Sequence, residues 1–302
     1  MRVATHSGSF HADDVFALAA LRLLVAAEPA RGPLTIVRTR DPELLRAADL
    51  RVDVGQRNDP ASADFDHHQR GGAGERPNGI RYASFGLVWR EFGARIAGGS
   101  DAVAQRLDEV LVQGIDANDT GQTITQPLLP DVASPMTLSH AVAAFNPNWD
   151  DDASGAAKQE AFEAALQFAQ GVLARELASA AAQVRAAALV RAAIARAEDP
   201  RLIELDRGMP WHRELVPSAP EALYVVYPRE QDWGLQAVPA VLGEFSNRKD
   251  LPEQWAGRSD AELVEITGVP DARFCHIGRF MAVAGSRDGV LELARQALDG
   301  KD

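Results

Sequence analysis

Four of the seven histidines in this 302-residue chain fall within its first 68 positions, and three of them, His11, His67 and His68, lie within two residues of an aspartate. His6 and His11 bracket the turn Ser7-Gly8-Ser9-Phe10, and Asp13 follows His11 by two residues. Asp53 sits in Val52-Asp53-Val54-Gly55, Asp66-His67-His68 is a contiguous triplet, and Asp116 lies in Gly114-Ile115-Asp116-Ala117-Asn118-Asp119-Thr120-Gly121. Imidazole nitrogens and carboxylate oxygens together suit a divalent cation, Mn2+ above all, with Mg2+, Co2+ or Zn2+ compatible. Taken singly, each residue has an ordinary reading: a histidine after a strand is a structural or solvated group, and Val-Asp-Val-Gly is a cap or turn. Clustered at one edge of one sheet, they are hard to explain as caps.

That edge follows from the pattern of elements. Residues 2–5, 34–37 and 50–54 are β-prone runs, alternating with helical spacing after Asp13 and Asp14 and over 42–48. Strand, helix, strand, helix, strand predicts an α/β fold with a mainly parallel sheet flanked by helices. The strand C-termini of such a sheet share one ligand-binding crevice. His6, Asp53 and Asp66-His67-His68 fall at or just past strand ends, so they can converge there. Residues 66–78, with Gly71, Gly72 and Gly74, read as a loop, either a mobile flap or an ordinary connection. Helical patterning returns over 85–89 and 103–115. Phe162, Leu166, Ala169, Leu173, Leu177, Val184 and Ala188 predict a long amphipathic helix, with Gly171 as a bend or break. Strands at 202–205, 222–227 and 234–238 and helices at 261–264 and 290–294 predict a smaller C-terminal α/β domain. The expected organisation is a cation-binding domain over 1–150, a helical connector over 151–199 and a substrate-binding domain over 200–302.

Composition sets limits on partners. Hydrophobic residues make up 46% and charged residues 25%, the balance of a globular protein. The net charge of −12 repels nucleic acid and anionic membranes, so a polyanionic substrate must be held locally, by cations and a few arginines. Cys275 is the only cysteine, which excludes an intramolecular disulfide and a cysteine-based zinc site. The apolar stretch 15–27 contains Arg22 and is too short to span a bilayer. No membrane partner and a cytoplasmic location are therefore expected. Apolar strands in the second domain offer an edge for a homodimer.

The four N-terminal motifs, Thr5-His6-Ser7-Gly8-Ser9-Phe10-His11-Ala12-Asp13-Asp14, Val52-Asp53-Val54-Gly55, Asp66-His67-His68-Gln69-Arg70 and Asp116-Ala117-Asn118-Asp119-Thr120-Gly121, resemble those of the melanocyte-proliferating-gene family. The resemblance continues through Phe145-Asn146-Pro147-Asn148-Trp149 and Leu251-Pro252-Glu253-Gln254-Trp255-Ala256-Gly257 to Phe274-Cys275-His276. It implies a DHH-type phosphoesterase fold, related to the family-II pyrophosphatases and RecJ-type exonucleases. It also implies a metal-dependent phosphoester hydrolase, a 3′→5′ exonuclease on RNA or short oligonucleotides. By analogy with the pyrophosphatases, one cation takes His6, His11 and Asp53, and a second takes Asp13, Asp53, His67 and Asp116. His11 departs from that pattern, because the pyrophosphatases place an aspartate there. The change keeps a ligand, removes a charge and favours softer ions.

Within this reading two cations activate water for in-line displacement. His68 then faces the substrate as a proton donor, and Asp66 orients a neighbouring imidazole. Asp119 reads equally as an orienting group or a turn residue. Arg248, His276, Arg279 and Arg287 are the candidate anion contacts of the second domain, with a solvated surface charge as the competing reading for each arginine. Where the family pattern carries a glycine pair this chain has Ala282-Val283, which counts against close backbone approach to a phosphate. Small phosphate esters or pyrophosphate-like substrates are the alternative within the same class. A metal-stabilised binding or regulatory protein without turnover, or hydrolysis of a non-phosphate bond, are the alternatives outside it.

Overall fold

The first apolar run, Arg2–Thr5, is strand β1, and Ala12–Ala27 after it is helix α1. Strands β2 (Thr35–Arg38) and β3 (Leu50–Val52), separated by the short helix α2 (Pro42–Arg46), both lie parallel to β1. In this computed structural model, which describes residues 1–126, 135–152 and 154–300, two very short strands complete the sheet. They are β4 (Asn58–Asp59) and β5 (Asp64–Phe65), and the order is β2-β1-β3-β5-β4, with only β4 antiparallel to its neighbour. The loops after β1, β3 and β5 thus leave from one edge. They carry His6, Asp53 and Asp66-His67-His68 respectively.

Helix α1 is buried almost all round, with Val15, Phe16, Leu18 and Leu21 fully enclosed. A helix of that kind belongs in a core. Its main partner is helix α3 (Ser84–Ile96), and Phe16 and Phe85 meet with ring centroids 5.6 Å apart. Truncating a side chain as enclosed as Phe16 costs about 3–5 kcal/mol, enough to threaten a domain of ordinary stability. Helix α4 (Asp101–Leu107) runs through a π-helical turn, Asp108–Val112, into α5 (Gln113–Asp119). The expected single helix over 103–115 is therefore interrupted. Helix α6 (Leu138–Ala143) follows.

Helix α7 runs unbroken over Gly155–Arg196. Of the bend or break expected at Gly171, the break does not occur, because one helical glycine costs only about 1 kcal/mol. The chain divides into two units inside this helix, Met1–Ala181 and Ala182–Asp302. By length and composition α7 is apolar enough to cross a membrane, its best window having a mean hydropathy of 1.3. That window is 22% buried within the protein; Phe162, Leu166, Ala169 and Leu173, nearer the start of the helix, are fully buried.

The second unit builds its own sheet. Strands β6 (Leu202–Glu204), β7 (Tyr224–Pro228), β8 (Trp233–Ala237), β9 (Ala272–Cys275) and β10 (Met281–Ala284) lie in the order β6-β7-β8-β10-β9. Only β6 and β7 are parallel. Helices α8 (His212–Ser218), α9 (Asp260–Thr267) and α10 (Arg287–Asp299) complete it. Trp255, Leu263, Val290 and Leu293 close one core over β7, β8 and β10. The C-terminal part of α7 contributes Val190 and Ala193 to another, with Trp211, Leu215 and Val225.

Candidate metal centre

Asp53 is the hub of the cluster. It follows β3 with φ +53°, a left-handed conformation that aspartate tolerates better than most residues. Its Oδ1 accepts a hydrogen bond from Ser84 Oγ at 3.2 Å and lies 3.4 Å from His67 Nε2 and 3.3 Å from His68 Nδ1. Its Oδ2 lies 3.4 Å from His6 Nε2. Three sets of donor atoms lie close enough to share a cation: His6, His11 and Asp53; Asp53, His67 and His68; and Asp13, His67 and Asp119.

The loop joining β1 to α1 is held from outside. Asn146 clamps Phe10 on both sides, accepting from its N–H at 3.1 Å and donating to its carbonyl at 2.9 Å. Arg38 lies over the Phe10 and Phe162 rings and donates to the Gly8 carbonyl. His6 and His11 therefore have a fixed spacing, with ring centroids 6.0 Å apart.

The N-terminus of α3 holds the acidic side of the site. Its first N–H groups have no intrahelical partner, and they bind carboxylates. Ser84 and Phe85 donate to the two oxygens of Asp13 at 3.0 and 2.6 Å, and Gly86 donates to Asp116 Oδ1 at 2.9 Å. A Cβ on Gly86 would stand 1.9 Å from Asp116 Oδ2, so this approach requires glycine.

Asp116, expected among the ligands, instead faces Arg76, whose Nη1 lies 2.8 Å from Oδ2. Neither side chain is appreciably exposed. Asp119, one turn further along α5, takes the place beside His67 with Oδ2 3.1 Å from Nε2. Asp66 accepts from Gln56 N–H through Oδ2 and from His68 Nδ1 at 2.8 Å through Oδ1. The imidazole it orients is thus that of His68. Asp14, missed by the sequence reading, is fully buried, accepts from His11 N–H and lies 3.4 Å from His6 Nε2. Its proximity to the first histidine motif was the available signal.

The charges here are unbalanced without a cation. Burial opposes protonation of His6, yet Asp14 and Asp53 outweigh it and raise its pKa to about 10. Burial likewise opposes protonation of His67, and Asp119 and Asp53 raise it to about 10. Burial, then Asp53, Asp119 and Asp116, push the Asp13 carboxyl well above its ordinary range. For Asp53 burial raises the pKa, but the three imidazoles hold it below the usual carboxylate range. The Nε2 atoms of His6 and His67 are buried without a hydrogen-bond partner, although carboxylates stand within charge-pairing distance. A divalent cation fits this donor set: it gives those nitrogens a partner and neutralises the converging carboxylates.

That fit has a pH consequence. Cation binding through Nε2 displaces protons from His6 and His67, so affinity rises with pH up to about 10. Mn2+ binding at pH 7.5 is expected to release roughly two protons, measurable by calorimetry in buffers of different ionisation enthalpy. No proton release between pH 6 and 9 would contradict this. In the cation-free protein the sign is opposite for folding. The raised histidines contribute stability that is complete below 6.5 and is lost as pH rises through about 10.

The four residues expected to contact anions all belong to the second unit. Arg248 instead donates to the carbonyls of Val216, Ala219 and Ala222, tying down the end of α8. Arg279 pairs with Asp250 at 2.7 Å, and Arg287 binds both oxygens of Glu204 at 2.6 and 2.7 Å. His276 follows β9 and accepts the Gly278 N–H through Nδ1 at 2.9 Å. The three arginines thus have structural partners.

Against known proteins, the model of the MYG1 exonuclease family, described as an uncharacterised protein family (UPF0160), matches residues 2–298. The MYG1 protein of Schizosaccharomyces pombe is 32% identical, over 99% of this chain and 98% of its own. The MYG1 exonuclease of Homo sapiens is 34% identical, over 98% of this chain and 85% of its own. Among solved structures, RecJ in complex with Mn2+ from Thermus thermophilus is similar with a TM-score of 0.30 and 16% identity, covering all of this chain but 52% of RecJ. That likeness is too slight to argue from. The family match over nearly the full length, with the histidine and aspartate motifs gathered at one sheet edge, is decisive: the chain belongs to the MYG1 exonuclease family.

Proposed function

We propose that this chain is a metal-dependent phosphodiester hydrolase, an exonuclease that shortens RNA or short oligonucleotides from the 3′ end. The observation that carries the reading is Asp53, shared between two donor sets and flanked by the buried, partnerless Nε2 atoms of His6 and His67, which cations would balance. The MYG1 exonuclease of Homo sapiens and that of Mus musculus, 32% identical, support a nucleic acid as the substrate class.

Two divalent cations, Mn2+ first, are assigned to the site. His6, His11 and Asp53 would hold one, and Asp13, Asp53, His67 and Asp119 the other, with Asp119 replacing Asp116. When bound, the pair supplies Lewis acidity, neutralising a phosphodiester and acidifying water. Ser84 steadies Asp53, and the α3 N–H groups steady Asp13. His68 is held through Nδ1 by Asp66, and Asp53, against partial burial and with help from Asp66, raises its pKa. Held in this way, it could donate a proton from Nε2 to the departing oxygen.

The test is a substrate panel for the Mn2+-loaded protein: labelled short RNA, a cyclic dinucleotide, pyrophosphate and a peptide mixture. The expected result is stepwise loss of nucleotides from the RNA 3′ end. Turnover of pyrophosphate alone would move the substrate to small phosphate esters. Turnover of peptides alone would refute the phosphodiester reading, and none at all would favour a binding protein.

A further inference from the structure

A cavity of about 310 Å3 borders the cluster, lined by His11, Asp13 and Asp119 and by Asn118, Ser139 and His140. A second cavity of about 550 Å3 shares Ile115, Asn118 and Ser139 with it, so the two are adjacent. The second lies between the π-helical turn and α5 on one side and residues 121–125 and the start of α6 on the other. Its size is that of a small-molecule site, roughly 300–1,000 Å3.

Its lining differs from that of the metal centre. Leu111, Ile115 and Ile124 supply apolar walls, Asn118 and Ser139 supply polar groups, and among the described residues no Asp, Glu, Lys, Arg or His lines it. In a chain of net charge −12, a chamber whose described lining carries no charge, next to a carboxylate cluster, is selective. It disfavours a second phosphate, which would find no cationic partner. It suits a flat, neutral group with apolar faces and hydrogen-bonding edges. The Asn118 amide offers both donors and an acceptor, so it can read either kind of edge.

We propose that this second cavity is the subsite for the heterocyclic base of the nucleotide whose phosphate lies at the metal centre. The proposal rests on the hydrolase reading for the occupant of that centre. Base faces pack on Leu111 and Ile115 and the base edge meets Asn118, while the phosphate stays with the cations.

Gly114 gives a clean test. It lies on α5, lines the cavity, and has nothing within 4 Å of where its Cβ would stand. Leucine there adds bulk to the cavity lining and is a better helix former than glycine, so folding is retained. Affinities of adenosine 5′-monophosphate, uridine 5′-monophosphate and ribose 5-phosphate for the Mn2+-loaded protein are compared by calorimetry. Wild type is expected to bind both nucleotides at least tenfold more tightly than ribose 5-phosphate. Gly114→Leu is expected to erase that preference and leave ribose 5-phosphate unchanged. Equal affinities in wild type, or a preference that survives in Gly114→Leu, would overturn the base site. Binding needs no turnover, so failure to cut RNA would remove the hydrolase reading and leave these outcomes readable. RNA cleavage without a nucleotide preference would remove only the base site.

Discussion

Asparagine in place of Asp53 is expected to lower kcat/KM on a phosphodiester by at least about a thousandfold, a loss of roughly 4 kcal/mol of transition-state stabilisation. Metal affinity should fall by more than the 10–100-fold typical of partners that only orient ligands. Three features concentrate the effect here. The carboxylate stands between His6 on one oxygen and His67 and His68 on the other. It belongs to two of the three donor sets, that of His6 and that of His67 with His68, so its loss weakens both of the proposed cation positions at once. It is also buried, where each charge interaction is screened less than at a surface. Asparagine tolerates the +53° φ and still accepts the Ser84 hydroxyl, so the fold should survive. Metal content by mass spectrometry, thermal unfolding and turnover are measured together. Full activity with unchanged metal stoichiometry would remove Asp53 from the centre.

The sheet edge that gathers Asp53 with its histidines was legible because each strand is a short apolar run followed directly by a ligand-type residue. What escaped the sequence depended on distant partners. Asp116 and Asp119 are three residues apart on α5 and therefore neighbours on one face. Only the fold shows that Arg76 and Gly86 meet the first while His67 meets the second. Asp14 looked like a helix-start residue, and its contact with His6 exists only once β1 and α1 are fixed. Strands β4 and β5 have two residues each, too few for any periodicity to register. Arg248 illustrates the converse: a candidate anion contact, or else a solvated charge, by sequence, it has its donors engaged by three backbone carbonyls.

Arg76→Met is expected to destabilise the protein by about 3–5 kcal/mol, the cost of breaking a buried ion pair from one side. Only 4% of the Arg76 side chain is exposed. It pairs with Asp108 through Nη2 at 2.6 Å and with Asp116 through Nη1 at 2.8 Å, and it stacks on Tyr82 at 4.2 Å. Methionine replaces the apolar stem but supplies no charge. Even with Arg76 opposing it, burial raises the Asp116 carboxyl to about 7, so in the variant the pKa must rise further. For an acid raised on folding, the contribution to stability is complete below its unfolded pKa and is lost as pH rises through its folded pKa. In wild type that loss spans 3.8 to about 7; in the variant it continues above 7. The stability gap between the two proteins should therefore widen from pH 6 to pH 8.5, read by urea unfolding of the cation-free forms. A gap that narrows over that range would mean that Arg76 does not hold Asp116 ionised. Because Asp116 also accepts the Gly86 N–H at the start of α3, the helix end beside Asp13 should loosen with it. Faster amide exchange at Ser84 to Gly86 would report that coupling, which ties the Asp13 side of the site to the Arg76–Asp116 ion pair.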